Sequence, residues 1–429
     1  MNTKQLTLAR ILLGLALAVV LCVSMATPAF AAESGFSEGE EGDDATAAIT
    51  KIFHMADGTV TPAETFTFTF TMKEVNGVTT NLAGKMPPVS SKQVSYTAAD
   101  TLAAVDGMIS MPREAEDIFA GVDWPHAGVY IYTVKETEGS NAKIAYSKAE
   151  YDIHVYVANG ENGGLYVAGI SAYRIKNDEG TAETPAKVDP TPGEDSEYPY
   201  SQIIFNNTYV NTSGGGDPAD PDNHALDINK TVTGTYGDKT KYFEFTLTMD
   251  KASTLDENVK YEAYVMAENE DGDLKNVTST KNYNPLKNNA TYGLYIEVTT
   301  GDPIVIYLQH GQKLVFTNLH YGTSYIVTES ADANYKASVT VVADGNALTP
   351  LVNADFGQPR STAPNDTPAF KHVVGENENS ASFTNLYKQI IPTGISVDNL
   401  PYILMIAVAL GALAGYVIVK NRRDRKSER

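Results

Sequence analysis

The sequence holds one cysteine in 429 residues, Cys22, and one tryptophan, Trp124. Cys22 sits within an apolar N-terminal stretch and lacks the small residues of a lipoprotein cleavage site before it. Beyond it the chain has no thiol, no disulfide and no cysteine metal site, so covalent toughness needs another device. Basic residues are also scarce. Against 53 Asp and Glu stand 32 Lys and Arg, a net charge of −21 with histidine neutral, which makes nucleic acid and anionic lipid poor partners. Missing too are a Gly-x-Ser-x-Gly elbow, a His-Glu-x-x-His helix and a Gly-rich phosphate loop. The seven histidines are scattered, and the pattern implies neither a cofactor nor an enzyme acting on an external substrate. Glu268 to Asp273 is rich in carboxylates but lacks the twelve-residue calcium loop with its terminal Glu, and reads as a polar turn. Trp124-Pro125-His126-Ala127-Gly128 likewise reads as a turn rather than as the floor of a sugar site.

Long apolar runs are confined to two places. Ile11 to Val23 follows Lys4 and Arg10 and precedes Ala29-Phe30-Ala31, the layout of a signal peptide over residues 1–31. Leu400 to Val419 has twenty residues, which at about 1.5 Å rise each cover a hydrocarbon core of roughly 30 Å. Lys420, Arg422, Arg423, Arg425 and Lys426 follow it and would hold its end in the cytoplasm. Ahead of it stands Ile390-Ile391-Pro392-Thr393-Gly394. A plain membrane anchor shares the apolar run and the basic tail; the Pro-Thr-Gly outside the membrane instead marks residues 389–429 as a cell-wall sorting signal, cut by a membrane-held transpeptidase. The chain is therefore expected to be exported and attached to a cell wall.

Between these ends the sequence repeats. Ile49-Thr50-Lys51-Ile52-Phe53 and the alternating Phe66 to Met72 come first; Ile228-Asn229-Lys230-Thr231-Val232 and Phe243 to Met249 follow in the second copy. Tyr130 to Glu136 corresponds to Tyr325 to Glu329, and Phe205-Asn206-Asn207-Thr208-Tyr209 to Phe383-Thr384-Asn385-Leu386-Tyr387. Period-two alternation with frequent turn residues predicts an all-β protein of two tandem β-sandwiches. The expected layout is a disordered acidic leader at 32–46, a first sandwich at 47–210, a Gly/Pro/Asp linker at 211–223 and a second sandwich at 224–388.

Residues two apart in a strand share a face. Lys51 therefore points with Ile49 and Phe53, Glu136 with Tyr132 and Val134, and Asn207 with Phe205 and Tyr209. Lys230, Glu329 and Asn385 are in the same phase in the second copy. Each sandwich directs one Lys, one Glu and one Asn into its core, with spans of 207 − 51 = 156 and 385 − 230 = 155 residues. Burial lowers a lysine pKa and raises that of a glutamate. A neutral amine is then a nucleophile for an asparagine carboxamide, and the carboxylic acid can polarise the carbonyl and shuttle protons as ammonia leaves. The product is an isopeptide bond formed without an external enzyme. A buried ion pair with a hydrogen-bonded Asn and no covalent bond fits the same pattern. Taken singly, each residue has an ordinary reading: a snorkelling lysine, a solvated glutamate or a turn asparagine.

These strand motifs and the Pro-Thr-Gly ending resemble the T-antigen-type backbone pilins of Gram-positive bacteria, whose two immunoglobulin-like, CnaB-related domains each carry an internal Lys–Asn isopeptide bond promoted by a Glu. The resemblance implies bonds Lys51–Asn207 with Glu136 and Lys230–Asn385 with Glu329. It also implies a pilin-class sortase that cuts between Thr393 and Gly394, with Ile391 and Pro392 in its recognition motif, and passes the Thr393 acyl group to a lysine of the next subunit. Implied partners are that sortase, neighbouring pilin subunits, peptidoglycan, a tip adhesin and a host surface. In the family the acceptor lysine precedes the last strand of the first domain; this chain has a Pro/Glu/Asp-rich insertion there, Asn177 to Pro199, and Tyr198-Pro199-Tyr200 lacks the lysine of the pilin motif. Lys187 and Lys176 are the candidates; Pro185 and Pro190 suggest an extended, exposed loop around Lys187, and a solvated lysine of no special role fits that setting as well. A monomeric wall-anchored adhesin binding a host protein or glycan would share the export signal, sandwiches and anchor, and differ only in the acceptor lysine and polymerisation.

Overall fold

The computed structural model describes residues 35–193, 199–364 and 371–388, and parts of 401–416. The expected signal peptide, the Ile391-Pro392-Thr393-Gly394 motif and the basic tail lie outside the described residues. The expected membrane span at 400–419 does so in part. Its described residues are helical and carry exposed apolar side chains, Leu404, Ile406 and Val408 among them. Among the described residues no helix is long and apolar enough to cross a membrane.

The chain divides into two compact units, one built chiefly from residues up to Thr212 and the other from Ser213 onward. Apart from the 401–416 stretch and a single turn of 3-10 helix at Pro221–Asn223, the described elements are strands. The first unit contains β1 Ser37–Glu38, β2 Thr50–Ala56, β3 Glu64–Val75, β4 Lys92–Tyr96, β5 Met108–Glu114, β6 Gly128–Glu136, β7 Ile144–Ala145, β8 Glu150–Asn159, β9 Leu165–Lys176, β10 Ala182–Val188 and β11 Ile204–Tyr209. One sheet runs β1-β9-β8-β6-β3-β4 with β10 also on β9; the other runs β5-β2-β11-β7. Alternation decides which face is inward. In β3 the rings of Phe66 and Phe68 are buried while Thr65 and Thr67 are not, as a pleated strand with one wet face requires. Inward residues of both sheets, Phe53 and Phe205 from one and Phe68, Tyr132, Val134 and Ile153 from the other, join a single apolar cluster.

The second unit repeats this plan with a larger sheet. Strands Leu226–Thr233 and Ser380–Tyr387 lie side by side in a ten-stranded sheet; Phe243–Asp250 and Ser324–Glu329 are neighbours in a five-stranded one. Ile228, Val232 and Phe383 from the first sheet meet Phe245, Leu247 and Val327 from the second in one core.

Two expectations need correction. Residues 35–46, read from their Glu, Gly and Asp content as disordered, are instead laid against the first unit. Ser37 and Glu38 pair with Ile170 and Gly169, and Ala45 and Ala47 enter the core. The acidic side chains cap backbone: Asp44 Oδ1 accepts from Val167 N–H at 2.8 Å and Glu41 Oε2 from Glu161 N–H at 2.8 Å. A Cβ at Gly39 would lie 2.2 Å from Ala45 N and 2.3 Å from Val167 O, so that glycine serves close backbone approach rather than flexibility. Lys187, placed by its prolines in a loop, lies in β10. This strand pairs antiparallel with β9 and has a register shift between Ala182 and Ala186. Pro185 is accommodated by that irregularity, as prolines on edge strands commonly are. Of the segment read as a turn, Glu268 ends a strand and pairs with Leu274, and 269–273 form the turn: Asn269 Oδ1 accepts from the N–H groups of Asp271 and Asp273. Trp124 packs against Tyr130 and Phe119, with ring centroids 4.8 and 5.8 Å apart.

Candidate functional site

The lysine and asparagine strands of each unit are parallel neighbours, a pairing that only a long connection permits. In the first unit Lys51 lies opposite Phe205 and Phe53 opposite Asn207. In the second, Lys230 lies opposite Phe383 and Val232 opposite Asn385. The register is the same: the asparagine stands two residues beyond the lysine's partner, so both side chains leave the same face of the sheet. The glutamate comes from the facing sheet, where Glu136 pairs with Phe68 and Glu329 with Phe245. The Phe68 and Phe205 rings, 4.9 Å apart, and the Phe245 and Phe383 rings, 5.2 Å apart, bridge the two sheets beside each trio.

Lys51 and Asn207 are completely buried. Lys51 Nζ donates to Glu136 Oε2 at 2.8 Å and lies 4.6 Å from the centre of the Phe66 ring. Asn207 Nδ2 donates to the other carboxylate oxygen, Oε1, at 2.5 Å. One carboxyl group therefore touches both the amine and the carboxamide. Asn207 Oδ1 accepts from the backbone N–H of Ser147 at 2.7 Å. Burial pulls Lys51 down to about 8, against the opposing pull of Glu136, and pushes the Glu136 carboxyl above its ordinary range.

The second trio is sealed as tightly, each residue about 1% exposed. Lys230 Nζ donates to Glu329 Oε1 at 2.7 Å, and Asn385 Nδ2 donates to the same oxygen at 2.5 Å. Phe243 and Phe245 flank the amine, their ring centres 4.2 and 5.6 Å away. Burial brings Lys230 to about 8 and raises Glu329. Here, however, Glu329 Oε2 and Asn385 Oδ1 have no hydrogen-bond partner among the described residues. Such orphaned acceptors are costly in a core.

Proton transfer from lysine to glutamate within either pair leaves the net charge of the core unchanged. The charged pair becomes an amine beside a carboxylic acid without any proton from solvent, and the low polarity of the surroundings favours that neutral form. The amine lone pair can then attack the carboxamide carbon while the acid serves the departing nitrogen.

All six core residues named from the sequence are thus brought together, three to a unit. The acceptor candidates differ in setting. Lys176 is tied to Glu150 by an ion pair of 2.8 Å; Lys187 is exposed on β10, its Nζ 5.8 Å from the centre of the Phe36 ring. Sequence reasoning missed Ser147 and Asp178. Ser147 acts through its backbone, which leaves no mark on residue type, and Asp178 lies in the stretch set aside as an insertion.

The fold and the trios define an all-β protein with a Lys–Glu–Asn triad sealed in each of two modules. Residues 47–210 match the Spy0128-like isopeptide containing domain, and residues 224–387 match a domain of unknown function, DUF7601. A curated relative, the pilin of Streptococcus pyogenes serotype M1, is 26% identical over 334 residues, covering 77% of this chain and 76% of its own length. These matches show the resemblance to T-antigen-type backbone pilins that the strand motifs carry. The crystal structure of the major pilin from Streptococcus pyogenes aligns at 21% identity over 81% of this chain and 100% of its own, with a TM-score of 0.31. That of the T3.2 major pilin from serotype GAS13637 aligns at 19% identity over 83% and 100%, also with a TM-score of 0.31.

Proposed function

We propose that this chain is the backbone subunit of a covalent surface fibre of a Gram-positive bacterium, built from two immunoglobulin-like modules, each locked by an intramolecular isopeptide bond. The bonds are Lys51–Asn207 and Lys230–Asn385; Glu136 and Glu329 move the protons. The observation that carries this reading is the one carboxyl group in hydrogen-bond contact with both amine and carboxamide, buried in each unit. Outside this self-reaction the protein is not an enzyme. The pilin relative and the Spy0128-like match support the assignment to a pilus.

Export by the N-terminal signal leaves the precursor held by its C-terminal apolar segment. A sortase cuts between Thr393 and Gly394, keeps the Thr393 acyl group as a thioester and passes it to a lysine amine of the next subunit, and the last subunit goes to peptidoglycan. Such a head-to-tail contact grows without closing. Lys187 is the acceptor favoured by its exposure on an edge strand. Boiled cell-wall extracts are expected to show a ladder of multimers that collapses to monomer in Lys187→Ala and persists in Lys176→Ala. A ladder untouched by Lys187→Ala would remove that acceptor, and a single wall-linked band in the unaltered protein would point to a monomeric adhesin.

A further inference from the structure

The two trios differ in one respect that bears on how fast each bond closes. In the first unit the asparagine strand β11 has β2 on one side and on the other only β7, which pairs at Thr208–Ala145 and Tyr209–Ile144. Beyond Ala145 the chain leaves the ladder. The N–H of Ser147, no longer needed by a strand partner, reaches the Asn207 side chain. In the second unit that flank is filled by Tyr335–Ala343, paired along its length with Ser380–Tyr387, and Asn385 faces Ala337. A continuous ladder uses its N–H groups for backbone, and Asn385 Oδ1 has no partner among the described residues.

We propose that Asp178 is a positioning residue for the Lys51–Asn207 reaction, holding the Ser147 N–H as an oxyanion donor that the second unit lacks; this rests on the isopeptide reading above. Asp178 sits in the tight turn Asn177 to Gly180, closed by Gly180 N–H to Asn177 O at 2.9 Å. Its Oδ1 accepts from Ser147 Oγ–H at 2.5 Å and from Asn206 N–H at 3.0 Å, and its Oδ2 from Asn206 Nδ2 at 2.9 Å. Its backbone carbonyl accepts from Lys148 N–H at 2.8 Å. One aspartate thus ties the 147–148 backbone to the residue next to Asn207. The Ser147 hydroxyl also accepts from Ala149 N–H at 3.2 Å, which fixes the turn from its other side.

The chemistry gives that N–H a task. As Lys51 Nζ bonds to Asn207 Cγ, the carbonyl electrons move onto Oδ1, where the Ser147 N–H already points. The Nζ proton passes through the Glu136 carboxyl to Nδ2, the Cγ–Nδ2 bond breaks, ammonia leaves and the electrons return to form the new amide. A fixed donor at the developing oxyanion helps the intermediate more than the starting amide. The second unit must pass through the same charge at Asn385 Oδ1, for which the described residues offer no such donor. The Lys51–Asn207 bond is therefore formed ahead of Lys230–Asn385.

The test follows both bonds in one molecule. The full chain is synthesised in a short cell-free pulse, quenched in denaturant at intervals and digested, and the two linked peptides are quantified by mass. The Lys51–Asn207 peptide is expected first. Losing an oxyanion donor outright slows acyl chemistry by about 10²–10³-fold, and Asp178→Ala, which loosens the donor, is expected to slow the first bond by at least about tenfold while the second keeps its rate. Asp178→Asn retains an oxygen for Ser147 Oγ–H and Asn206 N–H and is expected to restore most of the rate. Ser147→Ala, which keeps the N–H but loses its tie to Asp178, gives a smaller slowing of the first bond alone, so the proposal is tested even where Asp178→Ala folds poorly. An unchanged first bond in both Asp178→Ala and Ser147→Ala, or equal slowing of both bonds, overturns the proposal. Absence of either linked peptide from the unaltered chain would instead sink the isopeptide reading itself.

Discussion

Glu136→Ala is expected to turn the first unit from the more robust kind of domain into a marginal one while leaving the second untouched. Two losses add. Without the carboxyl group the bond does not form, and a cross-link closing a loop of 156 residues is worth about 5 kcal/mol in the chain-entropy account of such links. The substitution also leaves the buried Lys51 amine without the carboxylate it donates to, and breaking a buried ion pair from one side costs about 3–5 kcal/mol. Ordinary domains have only about 5–15 kcal/mol to lose. Calorimetry should therefore resolve two transitions in Glu136→Ala, the lower one belonging to residues 47–210, and Glu329→Ala should lower the other. Burial lowers Lys51 and Lys230 and the paired glutamate opposes that pull, so without the glutamate the folded-state amine falls further, and the uncross-linked variants gain stability as pH rises toward the ordinary lysine range, where the unfolded chain binds the extra proton. Unchanged transitions in both variants would contradict the assignment.

Under load the effect should be larger in kind than in energy. A cross-link between parallel neighbouring strands lets tension enter at Lys51 and leave at Asn207 through covalent bonds, so the 155 residues between them carry none of it. Stretched singly in a force experiment, the unaltered chain should show no unfolding step from either unit. Glu136→Ala should release the enclosed chain, which at about 3.3–3.6 Å per residue amounts to roughly 500 Å of new length. Glu329→Ala should release a step of similar size from the second unit. Steps of that length from the unaltered chain would show the units to be open loops. In the fibre proposed above, this distinguishes a strut from a spring.

What could be read from the sequence was what side-chain phase encodes. Lys51, Glu136 and Asn207 stand at inward positions of alternating strands, where charged residues are costly and therefore informative, and the second copy repeats their order and spacing. What could not be read depends on backbone or on contacts between distant segments. The Glu-, Gly- and Asp-rich residues before Ala45 have the composition of a disordered leader, yet Asp44 and Glu41 cap N–H groups more than a hundred residues away in sequence. Composition has no access to such partners. Pro185 and Pro190 suggested a loop, but an edge strand with an irregular register tolerates Pro185 equally well. Ser147 gave no signal because the group that matters is a main-chain N–H, present at every residue but proline, and the Asp178 carboxylate lies in the Pro/Glu/Asp-rich stretch read as an insertion.

The central claim is that both buried trios have reacted, and the intact mass of recombinant residues 32–393 tests it most directly. The account predicts a mass two ammonia molecules below that of the unmodified sequence, with one of the two restored by Lys51→Ala, Glu136→Ala or Asn207→Ala and the other by the matching changes at Lys230, Glu329 or Asn385. A mass equal to the unmodified sequence would leave two buried ion pairs and contradict the account.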